Sequence, residues 1–329
     1  MSMADHVRIG VLGAARIVPS ALVRPARSVA AVEVSAVAAR EVGRAQAFAD
    51  RHGIPRVHAT YEELLDDPNL DAVYIPLPNG LHGKWTLAAL AAGKHVLCEK
   101  PFAANAEEAA EVAAVARSSG LVVMEAFHYR YHPLALRLPE VVAELGELRH
   151  VEARMCIPLP RFGDIRYSLD LAGGAMMDTG CYPVNLVRHL GGGEPEVKSA
   201  RALLKGDGID RFMRAELKFP AGHTGTVVTS MWSRSLVKLT AKVLGANGSL
   251  KVLNPFAPQY GHRLAVKLDG HRRVERFDRR PTYDYQLAAF ADAVLHGKPF
   301  PTTVDDAVAT MRVVDDIYRA AGLSVREPS

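Results

Sequence analysis

Cysteine is scarce in this sequence, with only Cys98, Cys156 and Cys181 among 329 residues. They are odd in number and far apart, which rules out a disulfide framework and fits free buried thiols in a reducing compartment. No apolar run reaches the ~18 residues a membrane helix requires, and the start of the chain runs into a strand pattern without a basic leader, so a cytoplasmic location with no membrane partner is expected. An excess of one charge is also missing. Lys and Arg number 40 against 36 Asp and Glu, a net charge of +4 spread along the chain, which argues against a nucleic-acid partner. The one dense cluster, Arg272, Arg273, Arg276, Arg279 and Arg280, reads as an exposed strand edge or loop kept soluble by its charge. Ser-His-Asp hydrolysis lacks a nucleophile-elbow motif. No metal centre is expected either: His128 and His132 are four apart, and in an extended segment they would stand ~13 Å from each other, too far to share an ion.

What is present is length and apolar content. A chain of 329 residues exceeds one comfortable core, and 49% hydrophobic residues can build two. Five apolar runs, at Val7–Leu12, 32–38, Ala72–Ile75, His95–Cys98 and Leu121–Glu125, alternate with helical patterns, and with one further strand left unplaced the rhythm is read as six strands in ~125 residues of a doubly wound, mostly parallel sheet. Pro19 suits a first helical turn, and Pro25 is expected to end or kink that helix. Beyond about residue 126 the rhythm changes to alternating segments near 149–157, 198–204, 211–219, 224–230, 236–244 and 264–268, which predict an antiparallel sheet. We therefore place one domain at 1–125 and an α+β domain at 126–303, with a final helix, 304–321, packing back on the first.

Gly13-Ala14-Ala15-Arg16-Ile17-Val18 follows the first strand in the place of a G-x-G-x-x-G/A dinucleotide fingerprint, with Ala15 and Val18 replacing two glycines. Gly13 can make the sharp turn, and an alanine methyl still lets the backbone approach a pyrophosphate at the helix N-terminus. The alternative reading is an ordinary strand-helix turn. At the end of the second strand, where an NAD-type site sets an acid, the sequence has Ala38-Ala39-Arg40. Arg40 would pair with a 2′-phosphate, so NADP(H) is expected over NAD(H); otherwise Arg40 is a surface residue opening the next helix. Pro76 and Asn79 close one strand, and Glu99-Lys100-Pro101 closes the next, at the sheet edge where open α/β folds place their chemistry. Lys100 is the first candidate for catalysis.

Glu99-Lys100-Pro101, the run from Pro76 to His82, the segment from Glu125 to Pro133 and Gly173-Gly174-x-x-x-Asp178-x-Gly180-x-Tyr182 together resemble the glucose-fructose oxidoreductase, inositol dehydrogenase and rhizopine catabolism family. The resemblance is nearest its dihydrodiol dehydrogenase, NADP-xylose dehydrogenase and sugar ketoreductase branch, and it runs in order along nearly the whole chain. It implies a Rossmann domain followed by an open, mostly antiparallel sheet, and a cis Lys100-Pro101 bond. It also implies that Lys100 hydrogen-bonds the reacting oxygen and that Tyr182 is the acid/base, where many relatives carry histidine. Asn185 stands where many relatives have a further Asp.

Hydride transfer to or from a carbinol carbon needs a proton donor within ~3 Å of its oxygen. Free Tyr and Lys both titrate near ~10, so each must be tuned; an ammonium beside the phenol favours phenolate, and an oxidised nicotinamide lowers the lysine. The expected site is thus Lys100 and Tyr182 for catalysis. Asp178, Asn185, His82 and Phe162 are expected at the substrate, and Gly13, Ala15, Arg16, Ile17, Arg40, Pro76, Asn79, Glu99 and Lys100 at the cofactor. So many polar groups suit a small sugar-like, polyhydroxylated ring; a trans-dihydrodiol is the rival if Phe162, Phe127 and Trp85 line the cleft. A catalytically silent, dinucleotide-binding regulator or scaffold is the alternative to an enzyme. An open sheet face without helices must be covered, so a homodimer or homotetramer through the second domain is expected.

Overall fold

Strands that are apolar on both faces need cover on both faces, and in the first part of the chain helices supply it. The computed structural model describes residues 6–206 and 208–329. β1 (Val7–Leu12) leads through a π turn at Pro19–Val23 into α1 (Arg24–Ala26), and β2 (Val32–Ala38) into α2 (Val42–His52). β3 (Arg56–His58), α3 (Tyr61–Leu65), β4 (Ala72–Ile75), α4 (His82–Ala91), β5 (His95–Cys98), α5 (Ala106–Ser119) and β6 (Val123–Glu125) come next. The strands pair in parallel throughout, in the order β3-β2-β1-β4-β5-β6. That order reverses between β1 and β4, the point at which such sheets open a crevice beyond their carboxyl ends.

Local chemistry fixes the helix starts. Thr60 accepts a hydrogen bond from the Glu63 amide at 3.1 Å while Glu63 accepts one from the Ala59 amide at 2.9 Å. Asn105 and Glu108 repeat the exchange at the start of α5, with the Glu108 amide donating to Asn105 at 2.9 Å and the Ala104 amide donating to Glu108 at 2.7 Å. Each exchange satisfies amides that the helix itself leaves open.

The remaining elements are α6 (Pro133–Glu144), β7 (Leu148–Cys156), α7 (Cys181–Gly191), β8 (Glu196–Lys205), β9 (Ile209–Lys218), β10 (Thr224–Ser230), β11 (Lys238–Gly245), β12 (Gly248–Leu253), β13 (Arg263–Leu268), β14 (His271–Glu275), α8 (Thr282–His296) and α9 (Val304–Ala320). The second sheet runs β14-β13-β12-β11-β7-β10-β9-β8 and is antiparallel except where β10 lies parallel to β7. One row crossing it, Leu264, Val252, Ala241, Ala153, Val227 and Ala215, is buried, and α7 packs on the two strands, β7 and β10, that carry Ala153 and Val227. The neighbouring row faces the other way and reads Lys251, Lys242, Glu152, Thr226, Glu216, a period-2 alternation of apolar and polar faces.

The chain divides into two units: the described residues up to His128 with Pro281–Val308, and Tyr129–Arg280 with Ala309–Ser329. This corrects the expectation from sequence, which keeps 126–303 together and returns the last helix to the first domain. α8 instead belongs to the first unit, packing on α1, β1 and β2. α9 enters the second from Ala309, because Thr310 bonds to Asn185 and Arg188, and Tyr318 to Asp210. Periodicity also misses β12 and three elements with a reason of their own: β3 is only three residues long, α6 carries Pro133 and Pro139, and β14 is rich in charge. The strand-edge reading of Arg272 and Arg273 holds, since both lie on the edge strand β14.

Candidate active site

Because the first sheet is parallel, the residues closing β1, β2, β4 and β5 share one edge of it. Gly13 closes β1 with φ +117°, and its amide donates to Ala38 O on β2 at 2.8 Å. A side chain there would be strained by that φ, and its Cβ would lie 3.0 Å from Leu77 Cδ2. The turn continues through Ala15, exposed Arg16 and Ile17, whose carbonyl receives the Ala21 amide at 2.9 Å. At the end of β2, Arg40 is exposed, and Tyr61 is drawn to the same place. Burial raises the Tyr61 phenol, opposed by the Arg40 and Arg44 charges and a hydrogen bond from the Arg40 backbone. Arg44, on α2, donates to Ala14 O at 3.0 Å. It was not anticipated; it lies in the first turn of α2, while Arg40 precedes the extended N-cap residue Glu41. A pocket of about 620 Å³ beside this turn is lined by Arg16, Arg24, Arg44 and Arg51 and by no carboxylate. Its positive field is felt at His52, held below its usual range by burial and then by Arg51, Arg24 and Arg27.

Lys100 is half-buried at the end of β5, and the Lys100-Pro101 peptide bond is cis. Beside it, Glu99 is 7% exposed and accepts the Tyr74 hydroxyl at 2.7 Å, so its carboxylate braces two strand ends together. Pro76 is buried and Asn79 half-buried where β4 ends. His82, expected at the substrate, is 1% exposed, with Nδ1 2.7 Å from Pro101 O and Nε2 2.8 Å from Leu77 O. The single N–H of the neutral ring can donate to only one of these carbonyls, which ties His82 to the loop that ends β4 or the one that ends β5, beside Lys100. Burial pulls its pKa down to about 4, against the two carbonyl contacts and with help from the Lys100 charge. His128 is pulled down to about 3 by burial and Lys100, and its Nδ1 lies 2.8 Å from Thr282 Oγ1. His128–Tyr131 forms a 3-10 turn, so the extended geometry expected to separate His128 from His132 does not occur. Among the described residues no group of three or more His, Cys, Asp or Glu could hold a metal ion.

In the second unit a π turn at Met176–Gly180 runs straight into α7, which carries Tyr182 in its first turn. Tyr182 is 6% exposed, with the rings of Phe256 and Tyr129 at 5.6 and 6.0 Å. Asp178 forms an ion pair with Arg166 Nε at 2.9 Å, a partner that sequence spacing could not reveal. Asn185 is fully buried: its Oδ1 accepts from the Tyr129 hydroxyl at 2.6 Å and from Arg130 at 3.1 Å, and its Nδ2 donates to Thr310 at 3.2 Å. These bonds tie Asn185 to the 3-10 turn of Tyr129 and Arg130 and to α9. Phe162 remains 40% exposed, edge-on to Tyr167 and Trp232.

Known proteins resemble this chain along most of its length. The model of an oxidoreductase family with an NAD-binding Rossmann fold, GFO/IDH/MocA, matches residues 7–127, and the GFO/IDH/MocA C-terminal domain matches 138–251. The D-xylose 1-dehydrogenase (NADP(+)) 2 of Haloferax volcanii is 39% identical over 95% of this chain and 96% of its own. The trans-1,2-dihydrobenzene-1,2-diol dehydrogenase of Sus scrofa is 38% identical over 68% of this chain and 67% of its own. The crystal structure of a 3-ketoreductase from Actinomadura kijaniata, in complex with NADP and TDP-benzene, superposes with a TM-score of 0.88 at 30% identity, over 96% of this chain and 98% of that one.

The two depressed imidazoles set a pH dependence. Unfolded histidine titrates near ~6.5, so below that the unfolded chain takes up protons that folded His82 and His128 refuse. Their contribution to stability is complete above ~6.5 and is lost as the pH falls, down to about 4 for His82 and about 3 for His128. Urea midpoints across that window are expected to fall steadily, and a flat midpoint would contradict the neutral state of both rings.

Proposed function

The chain belongs to the GFO/IDH/MocA oxidoreductase family, and we propose that it is an NADP(H)-dependent enzyme moving a hydride between the nicotinamide and a hydroxyl or keto carbon of a sugar or similar polyhydroxylated ring. The observation that carries the cofactor reading is the cationic end of β2, where Arg40 and Arg44 surround Tyr61. Arg40 stands where an NAD-type site would place an acid. The residues fit a dinucleotide on structural grounds: the turn after β1 takes a φ of +117° at Gly13, which glycine adopts freely, and the guanidinium forks beside it are suited to a phosphate. When bound, NADP(H) supplies the hydride donor or acceptor. Arg40 and Arg44 would hold its 2′-phosphate, and Arg16 its pyrophosphate.

For the chemical step, Lys100 donates a hydrogen bond to the reacting oxygen, and the Tyr182 phenol gives or takes the proton. With His82 and His128 both neutral, Lys100 is the cation of that cluster. Asp178, paired with Arg166, accepts hydrogen bonds from neighbouring substrate hydroxyls. A polyhydroxylated ligand is favoured over a trans-dihydrodiol by burial, since Phe127 is 0% and Trp85 9% exposed, leaving Phe162 alone of the three aromatic candidates accessible. The outward row Lys251, Lys242, Glu152, Thr226, Glu216, flanked by Leu244 and Leu253 at 47% and 53% exposure, supports assembly as a homodimer through this sheet.

Three outcomes are expected. NADP(H) should bind more tightly than NAD(H) in fluorescence titration, with Arg40→Ala and Arg44→Ala each removing about 1–3 kcal/mol of that preference; equal affinities would refute it. Lys100→Ala and Tyr182→Phe should each lower turnover by at least ~100-fold, read from nicotinamide absorbance with a panel of sugars, while cofactor affinity is kept. Full turnover by Tyr182→Phe would remove its acid/base role. Light scattering at micromolar concentration should give twice the chain mass, and a monomer would count against the sheet-face dimer.

A further inference from the structure

The second unit contains a buried ionic cluster that neither hydride nor proton transfer requires. Asp210, at the start of β9, is 0% exposed. Its Oδ1 accepts from the Tyr318 hydroxyl at 3.0 Å and from Arg326 at 2.9 Å, and its Oδ2 accepts from the Met176 amide at 2.7 Å. Arg326, 3% exposed in the segment after α9, also donates to Gly173 O at 2.7 Å and Gly208 O at 3.0 Å, with its guanidinium 4.3 Å from the Tyr318 ring centre. Gly174 passes so close to this cluster that a Cβ there would sit 2.2 Å from Asp210 Oδ1 and 2.8 Å from the Tyr318 hydroxyl. Its φ of +133° is also one that side chains rarely adopt.

These bonds fall at the entry to the π turn. Gly173 O and the Met176 amide are held from one side by Arg326 and Asp210, and the turn Met176–Gly180 then carries Asp178 and runs into the helix of Tyr182. A π turn holds one residue more than an α turn, so its loss would rotate the residues after the turn against those before it by about 100°, one residue at 3.6 per turn. We propose that Arg326, acting with Asp210 and Tyr318, is a positioning residue that fixes the phase of this π turn and so the orientation of Asp178 relative to Tyr182. The proposal rests on the substrate-binding role of Asp178 and the acid/base role of Tyr182. A buried pair is a costly way to gain stability and a good way to specify one arrangement, because removing either partner leaves a charge without compensation. Arg326 is well matched to this position, since one planar fork spans two carbonyls and a carboxylate, which a lysine ammonium does less well.

The test compares Arg326→Ala, Arg326→Lys and Tyr318→Phe in the full chain. In Arg326→Ala, amide exchange over Met176–Tyr182 should speed up at least ~10-fold while exchange in β1, β4 and β5 stays unchanged. Turnover should fall at least ~10-fold and KM for the sugar should rise, per active site counted by NADP(H) binding, since small misplacements of reacting groups are costly. A partly unfolded preparation would lose sites and leave KM alone. Arg326→Lys should restore part of both effects. If Arg326→Ala does not fold, Tyr318→Phe, which deletes one hydroxyl donor, should show the same pattern to a smaller degree. Exchange unchanged over Met176–Tyr182 in the variants that fold would overturn the proposal, whatever happens to activity. Full turnover by Tyr182→Phe overturns the catalytic reading and leaves the exchange result to decide this one.

Discussion

Backbone in an irregular segment must find hydrogen-bond partners once water is excluded, and here buried side chains supply them where the sheets do not. Neutral His82 lies 2.8 Å from Leu77 O and 2.7 Å from Pro101 O at the ends of β4 and β5, and its one N–H donates to one of them. Lys94 reaches Asp67 O and Leu70 O at 2.7 and 2.9 Å ahead of β4. Arg326 serves Gly173 O and Gly208 O. In each case a polar side chain that could have faced a ligand holds a loop instead. Two of the three sets of loops end in Lys100 or lead to Asp178 and Tyr182. Leaving one such carbonyl unpaired costs on the order of 1–3 kcal/mol, comparable to the energy that orients a catalytic group.

Burial also explains the distribution of charge in the first unit. Cations are concentrated beyond β1 and β2, where Arg16, Arg40 and Arg44 stay exposed. Near Lys100 the potentially cationic imidazoles are kept neutral by burial, helped by the lysine itself. Exposed guanidinium groups beyond β1 and β2 and the Lys100 side chain beyond β5 therefore lie on one sheet edge. Glu99 and Glu125 are buried nearby, and each is tied to a neighbour: Glu99 to the Tyr74 hydroxyl and Glu125 to the Phe102 amide at 3.0 Å.

Much of this was legible in the linear sequence. Two-sided apolar strands with intervening helices specified a parallel sheet, because their spacing leaves no short hairpin connection. Glycine and proline marked the turns, and the switch to alternating patterns marked the second sheet. Lys100 was legible because a charged residue directly after a buried strand must emerge at the sheet's carboxyl edge. Short or charge-rich strands such as β3 and β14 were not legible, since their stability comes from neighbours in the sheet and not from their own pattern.

The roles of His82, Asn185 and Glu99 show where linear reading stops. Each is a polar residue in a segment that resembles a ligand site, and each proves to be bonded to another part of its own unit, His82 and Asn185 across five or more residues and Glu99 across a strand pair. Periodicity and strand polarity were enough to specify most of the elements, their order, the edge that carries Lys100 and the cationic end of β2. The pairing of Arg166 with Asp178, the reach of Arg44 to the first turn and the seating of Arg326 against Gly173 from 153 positions away emerged only in the folded chain. Pairing between distant residues depends on how the chain closes on itself, and no local pattern encodes it.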